Sequence, residues 1–553
     1  MKYLKWFRMV ARPVRWMLAA SVFIQLCQVF IALTYVYISK ALVDIATGDC
    51  SSMLWILGEG HSQREGLILY SCALVGFILL RIALQSVINY IENKADVKIS
   101  NRLRFREFSN LLRLQSDFRA KYHSGDMVNR LQTDVNTISS AVSRCIPNLI
   151  GAVLKFGTAF IYLLVLEPKL AWVLVFVVPF GIFGGRFVMR RIRNLTKDVR
   201  EGDSRVQSHV QETMQHLSII KTLEYIPNTS AELENMQEDY YSKVMKRTRF
   251  TIMARVLTGL AFSLGYAIAF LWGVHGIFLG TVTYGLMTAF LQLVGQIQRP
   301  LMEMSDQLPT LFHCTASIDR LEEIDALPKE QEDEPVMVEG IAGIKVTDLE
   351  FTYQDGTEKV LEGFSHDFTP GSRTAIVGET GVGKSTLIKL LLALLQPDKG
   401  SIEIYGSEGG EVKASSAGRC NLVYVPQGNS LFSGSVRDNL LMGDPDADEQ
   451  RLKDVLHIAA ADFVLDLEKG LDTQCFEAGG GLSEGQAQRI AIARALLRPG
   501  TLLLLDEFSS ALDPETENTL LERLTSAEVG KTMIFITHRE RIADFCDNIL
   551  KLK

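Results

Sequence analysis

RTAIVGETGVGKSTL, residues 373–387, decides how the second half of this 553-residue chain folds. Arg373 to Val377 is a short apolar run of strand type, and Leu387 to Leu395 carries an apolar helical pattern. Between them stand Gly378, Glu379, Thr380, Gly381, Val382, Gly383, Lys384, Ser385 and Thr386. Glycines at this spacing let backbone N–H groups close around phosphate oxygens at a helix N-terminus, where the helix dipole favours negative charge. Lys384 is then expected to meet the β and γ phosphates of a nucleotide, and Ser385 a Mg²⁺ ion. A chance match in a chain this long is on the order of a few per cent, before strand and helix flanks are required.

Farther on, Leu502 to Leu505 read as a buried strand ending in Asp506 and Glu507. That places two carboxylates at the carboxyl end of a parallel strand, beside the phosphates. Asp506 is suited to hold Mg²⁺, leaving Glu507 to polarise an attacking water.

Leu482-Ser483-Glu484-Gly485-Gln486, leading into the helical pattern GQAQRIAIARALL, resembles the signature of the ATP-binding cassette (ABC) transporter family. Tyr353 in FTYQDG, Gln427 in YVPQG, Ser510 to Asp513 and His538 in ITHR follow in the family's order between residues 341 and 549. The resemblance implies ATP as the nucleotide and an α/β P-loop ATPase domain with an ABC-type helical subdomain. It also implies roles: Tyr353 stacks on adenine, Gln427 senses Mg²⁺ and faces the membrane domain, and His538 contacts the γ phosphate. An aromatic face, an amide and an imidazole suit these three tasks chemically. Ser483, Gly485 and Gln486 would contact ATP held by an opposing subunit, so one cassette needs a second copy of itself or a related half-transporter. Two departures are visible. Glu484 stands where Gly is commoner, and Phe476 precedes Glu477 where Gly is usual. Ser401 to Cys420 reads as an altered hairpin, and the chain stops soon after His538, so a regulatory C-terminal tail is not expected.

The first half has a different character. Uncharged apolar runs at Trp16 to Ser39, Gly66 to Ile91, Cys145 to Leu166 and Leu170 to Gly185 suit membrane spans. Val256 to Gln298 is about twice the roughly 20 residues a span needs, so a bend is expected near His275 to Thr283, giving six transmembrane helices. Residues 92–144 hold ten Lys/Arg against six Asp/Glu, whereas Asp44 to Glu65 is mainly acidic; the first loop is outside and the second inside. The basic segment before Trp16 is read as lying on the cytoplasmic membrane surface. Arg81, Gln85 and Asn89 share one helical face, as do Gln292 and Gln296. Arg299 is near the second set; together with Gln25, Gln28 and Lys155 these residues either line a cargo path or hydrogen-bond neighbouring helices and snorkel toward headgroups.

The expected domains are residues 1–324, a six-helix transmembrane domain with two long cytoplasmic loops; 325–340, an acidic linker read as a solvated connector; and 341–553, the cassette. SGDMVNRLQTDV, residues 124–135, resembles the first cytoplasmic loop of exporter-type half-transporters, and Gln211 to Tyr225 the second. A net charge of −7 argues against a nucleic-acid partner, and eight scattered cysteines form no metal-ligand pattern. The functional expectation is an ATP-hydrolysing exporter half in a bacterial inner membrane, its cargo unidentified and of lipid, peptide or amphiphilic drug type. An importer of a small ligand such as a metal chelate, and a non-pumping ATP-gated channel or regulator, are the alternatives.

Overall fold

A computed structural model describes residues 2–48, 63–115, 124–331, 333–353, 358–379, 381–476, 481–528 and 530–552. The chain divides into two compact units, Met1–Arg106 with Asn129–Glu322, and Glu107–Val128 with Glu323–Lys553.

The first unit is helical. Its long helices are Arg15–Ala46, Gln63–Leu112, Ile146–Leu166, Pro168–Gln215, Ile226–Phe278 and Tyr284–Asp325, the second and last of these running on into the other unit. Among the described residues, four helical stretches are long and apolar enough to cross a membrane: Lys2–Ala46, Gln63–Leu112, Gly125–Leu166 and Ile226–Phe278. The expected span at Leu170 to Gly185 has a helical backbone, but most of its side chains lie outside the described ones. Helix Tyr284–Asp325 is not among the four; Gln292, Gln296 and Gln298 dilute its apolar part. The long apolar run does break between Phe278 and Tyr284, where Gly280 takes φ +70°. Just beyond, the Gly285 N–H donates to Asp44 Oδ1 at 2.8 Å, and a Cβ on Gly285 would lie 2.3 Å from the Lys40 carbonyl oxygen, so only glycine permits this helix approach.

Polar residues in the apolar helices mostly bond to neighbouring helices. Gln28 donates to Gln85 at 3.1 Å, Gln25 to Asn148 at 3.2 Å and Gln296 to the Ala32 carbonyl at 3.3 Å, while Gln85 donates to Asn89 of its own helix at 3.1 Å. Asp134, buried, is held by the Ser317 hydroxyl at 2.8 Å and by a forked bond from Arg320. The N-terminal helix Lys2–Ala11 is more than a surface segment: Trp6 and Val10 are buried against Ile99, Leu103, Ile138 and Ile318. Lys5 and Arg8 remain exposed on its other side.

Among the described residues, the second unit contains eleven strands: β1 Ala342–Phe351, β2 Leu361–Phe368, β3 Arg373–Val377, β4 Lys399–Gly406, β5 Glu411–Lys413, β6 Leu422–Val425, β7 Gly434–Ser435, β8 Gln474–Cys475, β9 Leu502–Asp506, β10 Thr532–Ile536 and β11 Asn548–Lys551. An antiparallel sheet runs β2-β1-β4-β5, and a parallel sheet runs β11-β3-β10-β9-β6. Strand β9, Leu-Leu-Leu-Leu-Asp, is buried throughout because it has core on both faces. Leu502 and Leu504 pack with Ile376, Leu387 and Ile534, while Leu503 and Leu505 pack with Leu456, Ile490 and Phe535. That alternation is the period of two expected of a strand. The helices Val436–Leu441, Glu449–Ile458 and Glu484–Leu496 carry residues of the second of these clusters.

Asp333 to Met337 of the linker are exposed, as a solvated connector requires, but the segment is also tied to the rest of its unit. Glu330 takes a forked bond from Arg419, whose guanidinium also donates to the Leu392 carbonyl at 2.9 Å and the Ala393 carbonyl at 2.7 Å. Val336 and Val338 bond to Ala417 and Asn421, and the Glu330 N–H donates to the Arg113 carbonyl at 2.7 Å. The Glu330–Arg113 bond and a second from the Gln115 N–H to the Pro328 carbonyl at 3.3 Å tie Glu107–Val128 to this part of the second unit.

Candidate nucleotide site

In a parallel sheet every strand delivers its carboxyl end to the same edge, so the loops after β3, β6, β9 and β10 meet there. The sequence puts the Gly378 to Gly383 loop after β3, Gln427 two residues after β6, Glu507 directly after β9 and His538 two residues after β10. The strand order places β10 between β3 and β9, with β6 beyond.

The loop after β3 turns through Gly381 at φ +93° and Gly383 at φ +101°, a region that glycine enters without strain, and Gly383 caps helix Lys384–Leu391. Lys384 Nζ, almost fully buried, donates to the carbonyls of Gly378 at 2.7 Å and Glu379 at 2.8 Å. Ser385 is exposed beside it, as is the Glu379 side chain; Val382 is half-buried, and Thr380 lies outside the described residues. Buried Thr386 and the Tyr353 hydroxyl share a hydrogen bond of 3.1 Å, and the Tyr353 ring stands edge-on to Phe351 at 5.0 Å. The adenine-stacking candidate is therefore tied to the phosphate-loop helix.

Glu507 is held from two sides. Gln427 Nε2 donates to its Oε2 at 2.6 Å, and His538 Nε2 lies 3.1 Å from its Oε1. Its backbone adopts φ +42°, unusual for a residue with a side chain, and its N–H donates to the Ile536 carbonyl at 3.0 Å. A strained residue at the end of a central strand is what functional sites concentrate.

Asp506 is 6% exposed. Burial, and then the Glu507 charge, push its carboxyl above the usual carboxylate range, against a hydrogen bond from the Tyr424 phenol and the charges of Lys389 and Lys384. Two adjoining carboxylates, one of them buried, fit a cation, which would relieve both penalties. The Tyr424 phenol is itself pushed up to about 12 by burial and by Asp506. This gives a signed expectation. Tyr424→Phe removes a bond that favours the charged carboxylate, so the acid limb of Mg²⁺-dependent hydrolysis should move to higher pH; an unmoved limb in a pH–rate profile would separate Asp506 from metal binding.

Helix Glu484–Leu496 starts in a capping box: the Gln486 N–H donates to Ser483 Oγ at 3.2 Å and the Ser483 N–H to Gln486 Oε1 at 2.9 Å. Ser483 and Gln486 thus bond to each other rather than to the phosphate loop. Gly485 presses on the next segment, where a Cβ would lie 2.7 Å from the Ala511 carbonyl oxygen. Gln488, buried, donates to the Glu507 carbonyl at 3.2 Å and so joins this helix to the residue after β9. The sequence reading missed Gln488 and Tyr424. The signal for Gln488 was one amide in an otherwise apolar helical face, and for Tyr424 a phenol on the strand beside β9.

Comparison with known proteins agrees with this geometry. Residues 18–301 match the family described as ABC transporter transmembrane region, and residues 361–510 match ABC transporter. The chain belongs to the ABC transporter family. It is 31% identical to an ATP-dependent lipid A-core flippase of Pseudomonas fluorescens (strain Pf0-1), over 84% of this chain and 77% of that protein. It is 29% identical to antigen peptide transporter 2 of Mus musculus, over 82% of this chain and 65% of that one. A fatty acid ABC transporter ATP-binding/permease protein of Mycobacterium bovis is 27% identical over 80% of this chain and 72% of its own length. In fold, the chain is similar to a bacterial Atm1-family ABC exporter solved with ATP bound, with a TM-score of 0.81, 22% identity, and coverage of 99% of this chain and 94% of that one. This ABC transporter chain is accordingly an ATPase coupled to transport, fused to a multi-pass membrane region.

Proposed function

We propose that this chain is one half of a dimeric ABC exporter, with residues 1–324 forming a six-span membrane domain, 325–340 the linker and 341–553 the cassette. The observation that carries the reading is the convergence on Glu507, gripped by Gln427 and His538, beside buried Asp506 and the phosphate loop. Glu507 takes a proton from the attacking water, and Gln427 fixes the orientation of its carboxylate. His538 supplies a hydrogen bond at the γ phosphate, and Lys384 leaves its two loop carbonyls for the β and γ oxygens. Tyr353 stacks on adenine, and the segment Gly378 to Thr386, Thr380 included, binds the phosphates. Ser385 and Asp506, with Gln427, would hold Mg²⁺, which when bound would neutralise phosphate charge. Ser483, Gly485 and Gln486 complete the site of a second copy.

A second copy is supported by the hairpin of helices Pro168–Gln215 and Ile226–Phe278, whose tip leaves Ile219, Leu223 and Tyr225 more than half exposed. Apolar side chains clustered on such a tip call for a partner surface. Export from the cytoplasm across a bacterial inner membrane is supported by the kinship with the flippase. Relatives named for lipid A-core, peptide and fatty acid leave the cargo open. The reading is tested by purifying the chain alone into lipid nanodiscs and recording ATP hydrolysis with particle mass. A hydrolysing, dimer-sized particle is expected; a folded particle that does not hydrolyse ATP would sink the self-sufficient homodimer.

A further inference from the structure

The apolar stretches of the membrane domain hold two full positive charges and no counter-charge. Residues 16–39, 66–91, 145–166, 170–185 and 256–298 contain Arg81 and Lys155 and no other Lys or Arg, and no Asp or Glu. Lys155 is ten residues from Cys145 and eleven from Leu166, and Arg81 is ten from Ile91 and fifteen from Gly66. At the helical rise each cation is about 15 Å or more from either end of its stretch, too deep for its side chain to reach the headgroups.

Hydrogen bonds set the register between these helices. Ser21 bonds Glu92 at 3.3 Å and Gln28 bonds Gln85 at 3.1 Å, so helices Arg15–Ala46 and Gln63–Leu112 run antiparallel. Arg81, four residues before Gln85, therefore stands level with Ala32, four residues after Gln28. Gln25 bonds Asn148 at 3.2 Å, and Val36 clusters with Ala159 and Leu163, so helix Ile146–Leu166 runs parallel to the first. Lys155, seven residues after Asn148, is also level with Ala32, seven residues after Gln25. Offsets of four and seven keep each cation on the helix face that carries the bonding amide. Gln296 donates to the Ala32 carbonyl at 3.3 Å, so a third helix reaches the same level. Arg81 is exposed and Lys155 half-buried, and among the described residues neither side chain has an ion pair or hydrogen bond. A second copy adds the same cations and no carboxylate, so dimerisation cannot neutralise the belt.

Resting on the reading of this chain as an ATP-driven transporter, we propose that the belt of Arg81 and Lys155 at the level of Ala32 binds the anionic group, phosphate or carboxylate, of an amphiphilic cargo. Exposed Ile78, Leu79 and Ile82 beside Arg81 offer the apolar surface for the rest of that molecule. Desolvated cations without protein partners gain most from a ligand that brings the missing charge.

The test uses the full chain in phosphatidylcholine nanodiscs, with fluorescent short-chain phosphatidic acid and phosphatidylcholine as probes. Without ATP, the wild type should bind the phosphatidic acid about tenfold more tightly. An Arg81→Gln, Lys155→Gln double variant should bind both probes equally, while Arg81→Lys, which keeps the charge, retains the preference. Equal binding in the wild type, or a preference that persists in the double variant, would overturn the proposal. Phosphatidic acid should also speed ATP hydrolysis and cross the bilayer of proteoliposomes when ATP is added. Binding without either effect assigns the belt to a resident lipid and overturns its role in cargo recognition. Because the preference is read without ATP, absence of hydrolysis counts against the transport reading and leaves the two failures distinct.

Discussion

Glu507→Gln should lower steady-state ATP hydrolysis by roughly 10²- to 10⁴-fold while ATP still binds. The amide occupies nearly the same volume on the same strained backbone at φ +42°, and keeps one oxygen to accept from Gln427 or His538. What it loses is the capacity to take a proton. Lys384, Asp506 and the phosphate loop are untouched, so nucleotide affinity should change little, and bound ATP should accumulate in place of ADP. Phosphate release and equilibrium binding of a fluorescent ATP analogue, measured on the same nanodisc preparation, separate the two effects. Retention of more than about a tenth of the wild-type rate would exclude Glu507 as the general base and shift that role to another group. Parallel loss of binding would mean that the substitution had disturbed the loop instead.

The catalytic edge of the candidate site was legible because the phosphate loop, Gln427, Glu507 and His538 each follow a short apolar strand. RTAIV, LVYV, LLLLD and TMIFI are local patterns, and the parallel order β3-β10-β9-β6 turns four separate motifs into one edge. Contacts made across long sequence separations were not legible. Glu330 and Arg419 each look like ordinary surface charges, and only the fold brings them together with the carbonyls of Leu392 and Ala393. An acidic run therefore read as a solvated connector although it is tied at several points. The same holds for Trp6, one aromatic in a basic segment, whose partners Ile99, Ile138 and Ile318 come from three other parts of the chain. In the spans, periodicity correctly grouped Arg81, Gln85 and Asn89 on one face but could not say which of them find partners. Gln85 and Asn89 do, through Gln28. The Gln residues that serve those bonds also weaken the hydropathy signal, as in helix Tyr284–Asp325.

Two chains each disabled at a different motif should restore hydrolysis when assembled together. Lys384→Ala removes the cation that meets the phosphates, and Ser483→Arg places bulk and positive charge at the start of helix Glu484–Leu496. Each chain alone should be inactive. If Ser483 serves ATP held by the opposing copy, a mixed pair keeps one intact site, formed by the phosphate loop of one chain and the signature of the other. Random pairing makes half the dimers mixed, each with one of two sites working, so roughly a quarter of wild-type hydrolysis is expected. If phosphate loop and signature of one chain formed a site by themselves, every site in the mixture would carry a defect and the rate would stay at background. Ser483→Arg also removes a helix cap, a loss of about 1 kcal/mol, and Ser483→Ala removes the same cap without adding bulk or charge. Should the Ala chain hydrolyse ATP while the Arg chain does not, the effect belongs to the contact across the pair rather than to helix stability. The capping box supports this separation, since Ser483 and Gln486 satisfy each other and leave the phosphate loop of their own chain to a different partner.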